Sequence, residues 1–210
     1  MPDPDQLGRE SRRTRIARGT GREALCRALL RVVARDGFDG VTFRSVAAEA
    51  GATHGLASYH FSTRDVMIQE ALSWAVQHTI ETTHLASSVG GIEDFAADVP
   101  RMISESPEEA VFQFDLLLRA LRSPALLDEV RKSYDVYIDA VGQSLRSVGV
   151  EGEAIARLVF AALDGLTLQQ LLYNDQHRSQ EAIRALRQLL SLLASAGNGH
   201  PGSQRDGDAG

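Results

Sequence analysis

The stretch Gly37-Phe38-Asp39-Gly40-Val41-Thr42-Phe43-Arg44-Ser45-Val46-Ala47-Ala48-Glu49-Ala50-Gly51-Ala52-Thr53-His54-Gly55 decides how the rest of the chain is read. Two short helical patterns meet in it. Thr42 stands where a hydroxyl can accept from the amides of an opening helical turn, and Val46, Ala47 and Ala50 follow on that helix. Gly51 ends it, and Thr53 caps a second short helix running to Tyr59 or His60. Ala47, Gly51 and Ala57 fall at relative positions 0, +4 and +10. Small residues therefore lie where two helices would cross closely, and Gly51 can turn without a Cβ penalty. Val46 and Phe43 are expected to fill a small core with Leu29, Val33 and Phe61. The pattern predicts a helix-turn-helix, although the glycine and alanine spacing alone also suits an ordinary helical hairpin.

Working outward, Thr20-Gly21-Arg22-Glu23 is a capping box, and the helix it opens carries Leu25, Leu29, Val32 and Val33 to a stop at Asp36-Gly37. Cys26 reads as small packing material, and as the one cysteine of the chain it excludes an internal disulfide. Ser62-Thr63-Arg64-Asp65 is a second capping box, starting a long helix toward His84. After a break at Ser87–Gly91, helical patterns run over Ile92–Ser104, Glu108–Leu121, Ala125–Ser147, Glu151–Tyr173 and Ser179–Ser195. No segment alternates as a strand would. The expected fold is all-α: an N-terminal helix-turn-helix DNA-binding domain and a C-terminal helical bundle. The expected divisions are a flexible basic arm at 1–18, the DNA-binding domain at 19–66, a ligand-binding and dimerisation domain at 67–195, and a disordered tail at 196–210.

The 210 residues carry a net charge of −6, which taken whole argues against a nucleic-acid partner. The charge is unevenly spread. Residues 1–64 hold eleven Arg against seven Asp and Glu, a net of +4, and residues 65–210 carry −10. Such asymmetry points to a surface that meets a polyanion. No apolar leader is present, and Ala154–Leu172 is interrupted by Arg157, Asp164, Gln169 and Gln170. The expectation is a protein of the bacterial cytoplasm with no membrane partner.

These residues resemble the TetR family of transcriptional regulators. The resemblance rests on Gly37 to Gly55, then Tyr59-His60-Phe61, then Arg64-Asp65, and it is continuous over about residues 20–72. It implies a regulator, ligand-responsive and commonly a repressor, that binds a palindromic double-stranded DNA operator as a homodimer. Thr53, His54 and Gly55 would meet base edges in the major groove. Thr42, Arg44, Tyr59, His60 and Arg64 would reach phosphates, and Arg12 and Arg13 of the arm would lie along the duplex. Many family members have an aromatic where this chain has Ser58, so either Ser58, through its hydroxyl, or Tyr59 faces DNA.

In the family, the remainder binds a small molecule and forms the dimer. The bulky side chains Trp74, Met102, Phe112, Tyr134, Tyr137 and Tyr173, with the polar Asp164, are the candidates for the effector site, and the last two helices offer Leu158, Ala162, Leu166, Ile183, Leu186, Leu190 and Leu193 for the dimer interface; packing within the chain's own core is the alternative for both sets. Asp164 lies in an apolar run, and a buried carboxylate needs a partner: a ligand donor, Arg119 or Arg122, or a backbone amide. His78, Glu81 and His84 do not converge on one helix face, so no metal is expected. No cofactor motif and no catalytic constellation is visible, and the protein is expected not to be an enzyme. A helical enzyme with a vestigial reading domain and an acidic protein scaffold are the competing classes.

Overall fold

The structure, a computed structural model, describes residues 20–86 and 91–198. The basic arm with Arg12 and Arg13, the side chain of Thr20, most of the Ser87–Gly91 break and the tail from residue 199 lie outside the described residues. Nine α-helices are described: α1 Thr20–Asp36, α2 Phe43–Glu49, α3 His54–His60, α4 Arg64–Thr82, α5 Val99–Glu105, α6 Pro107–Ala120, α7 Pro124–Ser147, α8 Glu153–Tyr173 and α9 Gln176–Asn198. Short 3-10 turns lie at Phe38–Gly40 and Gly91–Asp94. There is no strand among the described residues.

Among the described residues, the first compact unit comprises 20–77 and 108–131. It does not break at residue 66, because α6 and the start of α7 complete its core. Leu25, Leu29, Leu30, Val46, Ala57 and Phe61 are buried within it. Gly37 and Gly51 have φ values of 68° and 64°, a conformation that L side chains resist. A Cβ on Gly51 would meet open space, so the cost of filling it is purely a backbone cost. Gly51→Ala is expected to destabilise the unit by about 1–2 kcal/mol. Thermal melting checks this, and an unchanged midpoint would mean that the turn relaxes to negative φ.

Helix ends follow hydroxyl chemistry. Thr42 accepts from the amide of Ser45, whose own hydroxyl accepts from the Thr42 amide. Thr53 accepts from the amide of Leu56. At α4 the cap is Thr63, which accepts from the Val66 amide, and not the expected Ser62. Burial pushes the Cys26 thiol up to about 12. That keeps it protonated, as packing material should be.

Among the described residues, the second unit comprises 78–86, 91–107 and 132–198. Helices α5, α8 and α9 pack on one another in it. The predicted Ile92–Ser104 helix is instead a 3-10 turn, a hydrogen-bonded turn and the shorter α5, with Pro100 in its first turn. Gln170 on α8 ties down α5: its Nε2 donates to the Pro100 carbonyl at 2.6 Å and to Ser104 Oγ at 2.8 Å. Arg187 on α9 donates to the Phe95 carbonyl at 2.8 Å. By length and composition α8 could cross a bilayer, with a mean hydropathy of 1.3, so its polar interruptions exclude less than expected.

Candidate nucleic-acid interface

The helix pair α2–α3 is held from behind by α1. Arg31 Nε donates to Glu49 Oε1 and Arg35 Nη1 to Oε2, both at 2.8 Å. One carboxylate at the end of α2 thus clamps two turns of α1. The Arg35 and Arg31 guanidinia hold the Glu49 carboxyl below its usual range. Sequence reading missed this clamp, because nothing in local spacing pairs residues 31 and 49.

The clamp leaves one surface of α3 free. Thr53, His54 and Gly55 are exposed at its N-terminal end, and Tyr59 at its other end is 81% exposed. The His54 ring lies edge-on to Phe43, centroids 6.1 Å apart. Phe43 is therefore half-buried against His54, and not the full core residue expected. Thr42 and Arg44 are exposed at the start of α2.

Ser58, His60 and Arg64 each have partners within the unit. Ser58 donates its hydroxyl proton to the His54 carbonyl at 3.0 Å, so that proton is engaged within the helix, and Tyr59 is the residue that projects. His60 is half-buried, its ring beside Tyr59 and Phe61. Arg64 turns inward: Nε donates to the Val41 carbonyl at 2.8 Å and Nη2 to the Phe38 carbonyl. Its guanidinium fastens the turn before α2 to the start of α4, in place of the expected phosphate clamp.

That turn is held from a second side by α6. The Phe38 ring packs on Phe112, centroids 5.6 Å apart, and Arg119 lies 4.9 Å from the Phe38 centroid while bonding Asp39 at 3.2 Å.

The fold agrees with that of known proteins. Residues 25–71 match the family described as bacterial regulatory proteins, tetR family, and residues 90–192 match the tetracyclin repressor-like C-terminal domain. The chain belongs to the TetR family of transcriptional regulators. It is 26% identical over 169 residues to the nicotine-responsive transcriptional repressor HdnoR of Paenarthrobacter nicotinovorans, covering 74% of this chain and 86% of that one. A transcriptional regulator from Rhodococcus sp. Rha1 superposes with a TM-score of 0.65 at 27% identity, over 86% of this chain and 99% of that one. The multidrug binding protein EbrR complexed with ethidium gives 0.56 at 28% identity, over 82% and 98%.

In this TetR-family regulator the seven expected effector residues are divided between the two compact units. Trp74 and Phe112 belong to the first unit: Trp74 lies under Arg27 at 5.3 Å, and Phe112 is fully buried against Phe38. Met102 is buried packing of the second unit. Tyr173 ends α8 under the Arg178 guanidinium at 4.5 Å. Nine residues of helix, about 13 Å, separate it from Asp164. The residues brought together are Tyr134, Tyr137 and Asp164, with Phe160, which the sequence reading omitted. Phe160 stands one helical turn before Asp164, and that i, i+4 relation was the available signal.

Asp164 accepts from the Tyr134 hydroxyl at 3.3 Å, a partner that the sequence reading did not name. Burial raises the Asp164 carboxyl, while the Tyr134 bond pulls it the other way. Burial and the neighbouring carboxylate push the Tyr134 phenol up to about 12. A carboxyl raised by folding favours the native state below its unfolded value, and this benefit is lost as pH rises through the folded value. Asp164→Asn is therefore expected to gain stability relative to the parent as pH increases from acid to neutral. Urea midpoints of both proteins across that range check this; a constant difference would refute it.

Of the expected dimer residues, Ile183 and Leu190 are buried in their own unit, and Ala162, Leu166 and Leu186 are half-buried. Leu158 and Leu193 are exposed. The open apolar face instead follows Leu158, Leu168 and Leu172 on α8 and Leu189, Leu192 and Leu193 on α9.

Proposed function

We propose that this regulator binds a palindromic operator as a homodimer and releases it on binding a small-molecule effector. The exposed end of α3 carries the reading: Thr53, His54 and Gly55 stand free at the helix start, where a recognition helix meets base edges. Arg44 and Thr42 flank them for phosphates, with Tyr59 beyond. Arg12 and Arg13 would add sequence-independent charge.

His54→Ala is expected to cost about 1–3 kcal/mol of operator affinity, roughly 5- to 150-fold. Tyr59→Phe is expected to cost less and to weaken all DNA similarly. Fluorescence anisotropy on the DNA upstream of the gene and on a scrambled duplex, at fixed salt, measures both effects. Equal binding of the two duplexes by the parent protein would refute operator recognition.

The open stripe on α8 and α9 supports dimerisation. On α8 its members recur as Leu158, Ala161, Gly165, Leu168 and Leu172, at alternating spacings of three and four. Two copies would join as a four-helix bundle about a two-fold axis. That would account for the apolar character of α8 without a membrane, and it supports the reading of a cytoplasmic protein that meets DNA. HdnoR is nicotine-responsive and EbrR was solved with ethidium, which supports effector control here. A near-complete switch needs about 10⁴-fold preference of the effector for the released state. The protein would act by binding and not by catalysis.

A further inference from the structure

The proposed effector control leaves open what kind of molecule is sensed. The cluster on α7 and α8 restricts it. Asp164 is a half-buried carboxylate, and Tyr134 is its sole hydrogen-bond partner among the described residues. The Tyr134 bond reaches Oδ2 and leaves Oδ1 for another donor. Three aromatic rings adjoin: Phe160 meets Tyr134 edge-on at 5.3 Å and stacks with Tyr137 at 5.4 Å. No Arg or Lys pairs with Asp164 among the described residues.

Holding a carboxylate beside rings without a cation is costly. Burial opposes its ionisation, and the single 3.3 Å bond is a weak offset. An arriving cation removes that cost. It supplies the countercharge, fills the free oxygen, and meets ring faces that attract positive charge. A neutral ligand would gain only the apolar contact, and an anion would be repelled.

We propose that Asp164, Phe160, Tyr134 and Tyr137 form a recognition site for organic cations, of which an aromatic ammonium or amidinium-type ligand carrying N–H donors is the best fit. This rests on the reading of the protein as an effector-controlled regulator, and it names the effector's chemical class. The ligand N–H donates to Asp164 Oδ1, and its cationic or aromatic face lies against Phe160 and Tyr134, with the buried Tyr137 stacked behind Phe160.

Proflavin, a fluorescent planar cation, is a suitable probe, and acridine, uncharged at pH 8, is its counterpart. Binding is followed by fluorescence titration of the full-length protein without DNA, so it does not depend on operator recognition. The expected result is saturable proflavin binding, weakened roughly tenfold or more by Asp164→Asn and by Phe160→Leu. Acridine should bind more weakly and be little changed by Asp164→Asn. Tyr134→Phe, which removes only the hydroxyl, tests the site should either of the other variants melt early, and should alter proflavin affinity by a smaller factor. No saturable proflavin binding, equal losses for both probes, or unchanged proflavin affinity in Asp164→Asn overturns the proposal. Separate anisotropy measurements with upstream DNA decide the regulator reading. Intact operator binding without a cation effect sinks the ligand class alone; cation binding without operator recognition sinks the regulator reading alone.

Discussion

Glutamate at both Leu168 and Leu189 is expected to yield a folded monomer that binds the operator about a hundredfold or more weakly. Both leucines are more than half exposed in the single chain, at 53% and 60%. Surface substitutions at such positions usually change stability by no more than about 0.5 kcal/mol. In a two-fold bundle the same positions would be buried against a second copy, where an unpaired carboxylate is costly. Operator affinity depends on the pairing because the second half-site is read at the high effective concentration that the first provides. Sedimentation velocity gives the mass and circular dichroism the fold, while anisotropy gives the affinity. A double variant that remains a dimer would place the interface elsewhere. A monomer with parental affinity would remove the need for a palindrome.

The second large effect is expected at Phe38. Phe38→Ala should cost about 3–5 kcal/mol, because a fully buried ring leaves a cavity that its surroundings only partly close. At this chain length that lowers the melting temperature by roughly 6–20 °C. Phe38 is 2% exposed and packs on Phe112, with the Arg119 guanidinium over it. Its carbonyl also receives Arg64. Phe38→Leu should recover much of the loss by restoring apolar volume. Operator affinity should fall below the parental value even at temperatures where Phe38→Ala is folded, because the turn sets where α2 begins. A melting change under about 1 kcal/mol would mean that α6 is not needed to hold the turn.

Local chemistry made the reading head legible. The stops at Gly37 and Gly51 follow from positive φ, and the caps at Thr42 and Thr53 from a hydroxyl beside free amides. Where two hydroxyls adjoin, as at Ser62 and Thr63, spacing cannot choose between them, and the second is the cap. The role of Arg64 was not legible either. Whether a guanidinium reaches out or turns back depends on carbonyls 23 and 26 residues away.

The helical body was harder. Periodicity located α7, α8 and α9, but a broad apolar face does not reveal which edge meets its own unit. Ile183 and Leu190 are inside while Leu189 and Leu192 remain open, because α9 meets α5 and α8 along one edge. Bulk marks candidates for an effector site, and bulk is what cores also use. Trp74, Met102 and Phe112 are packing residues or guanidinium platforms. Asp164 stood out correctly as a polar group in an apolar run, and its tyrosine partner lay 30 residues back.

The split construction of the first unit has a consequence for biosynthesis. Asp39 and Arg119 are 80 residues apart, and Phe38 must wait for Phe112 before its ring is covered. At ordinary rates of translation this is a delay of roughly 4–16 s, during which α1 to α3 have emerged without the helix that finishes their core. The reader is therefore not a contiguous cassette. Grafting it onto another sensor requires carrying α6 as well, and a nascent chain stalled before α6 would hold an incomplete reader at the ribosome.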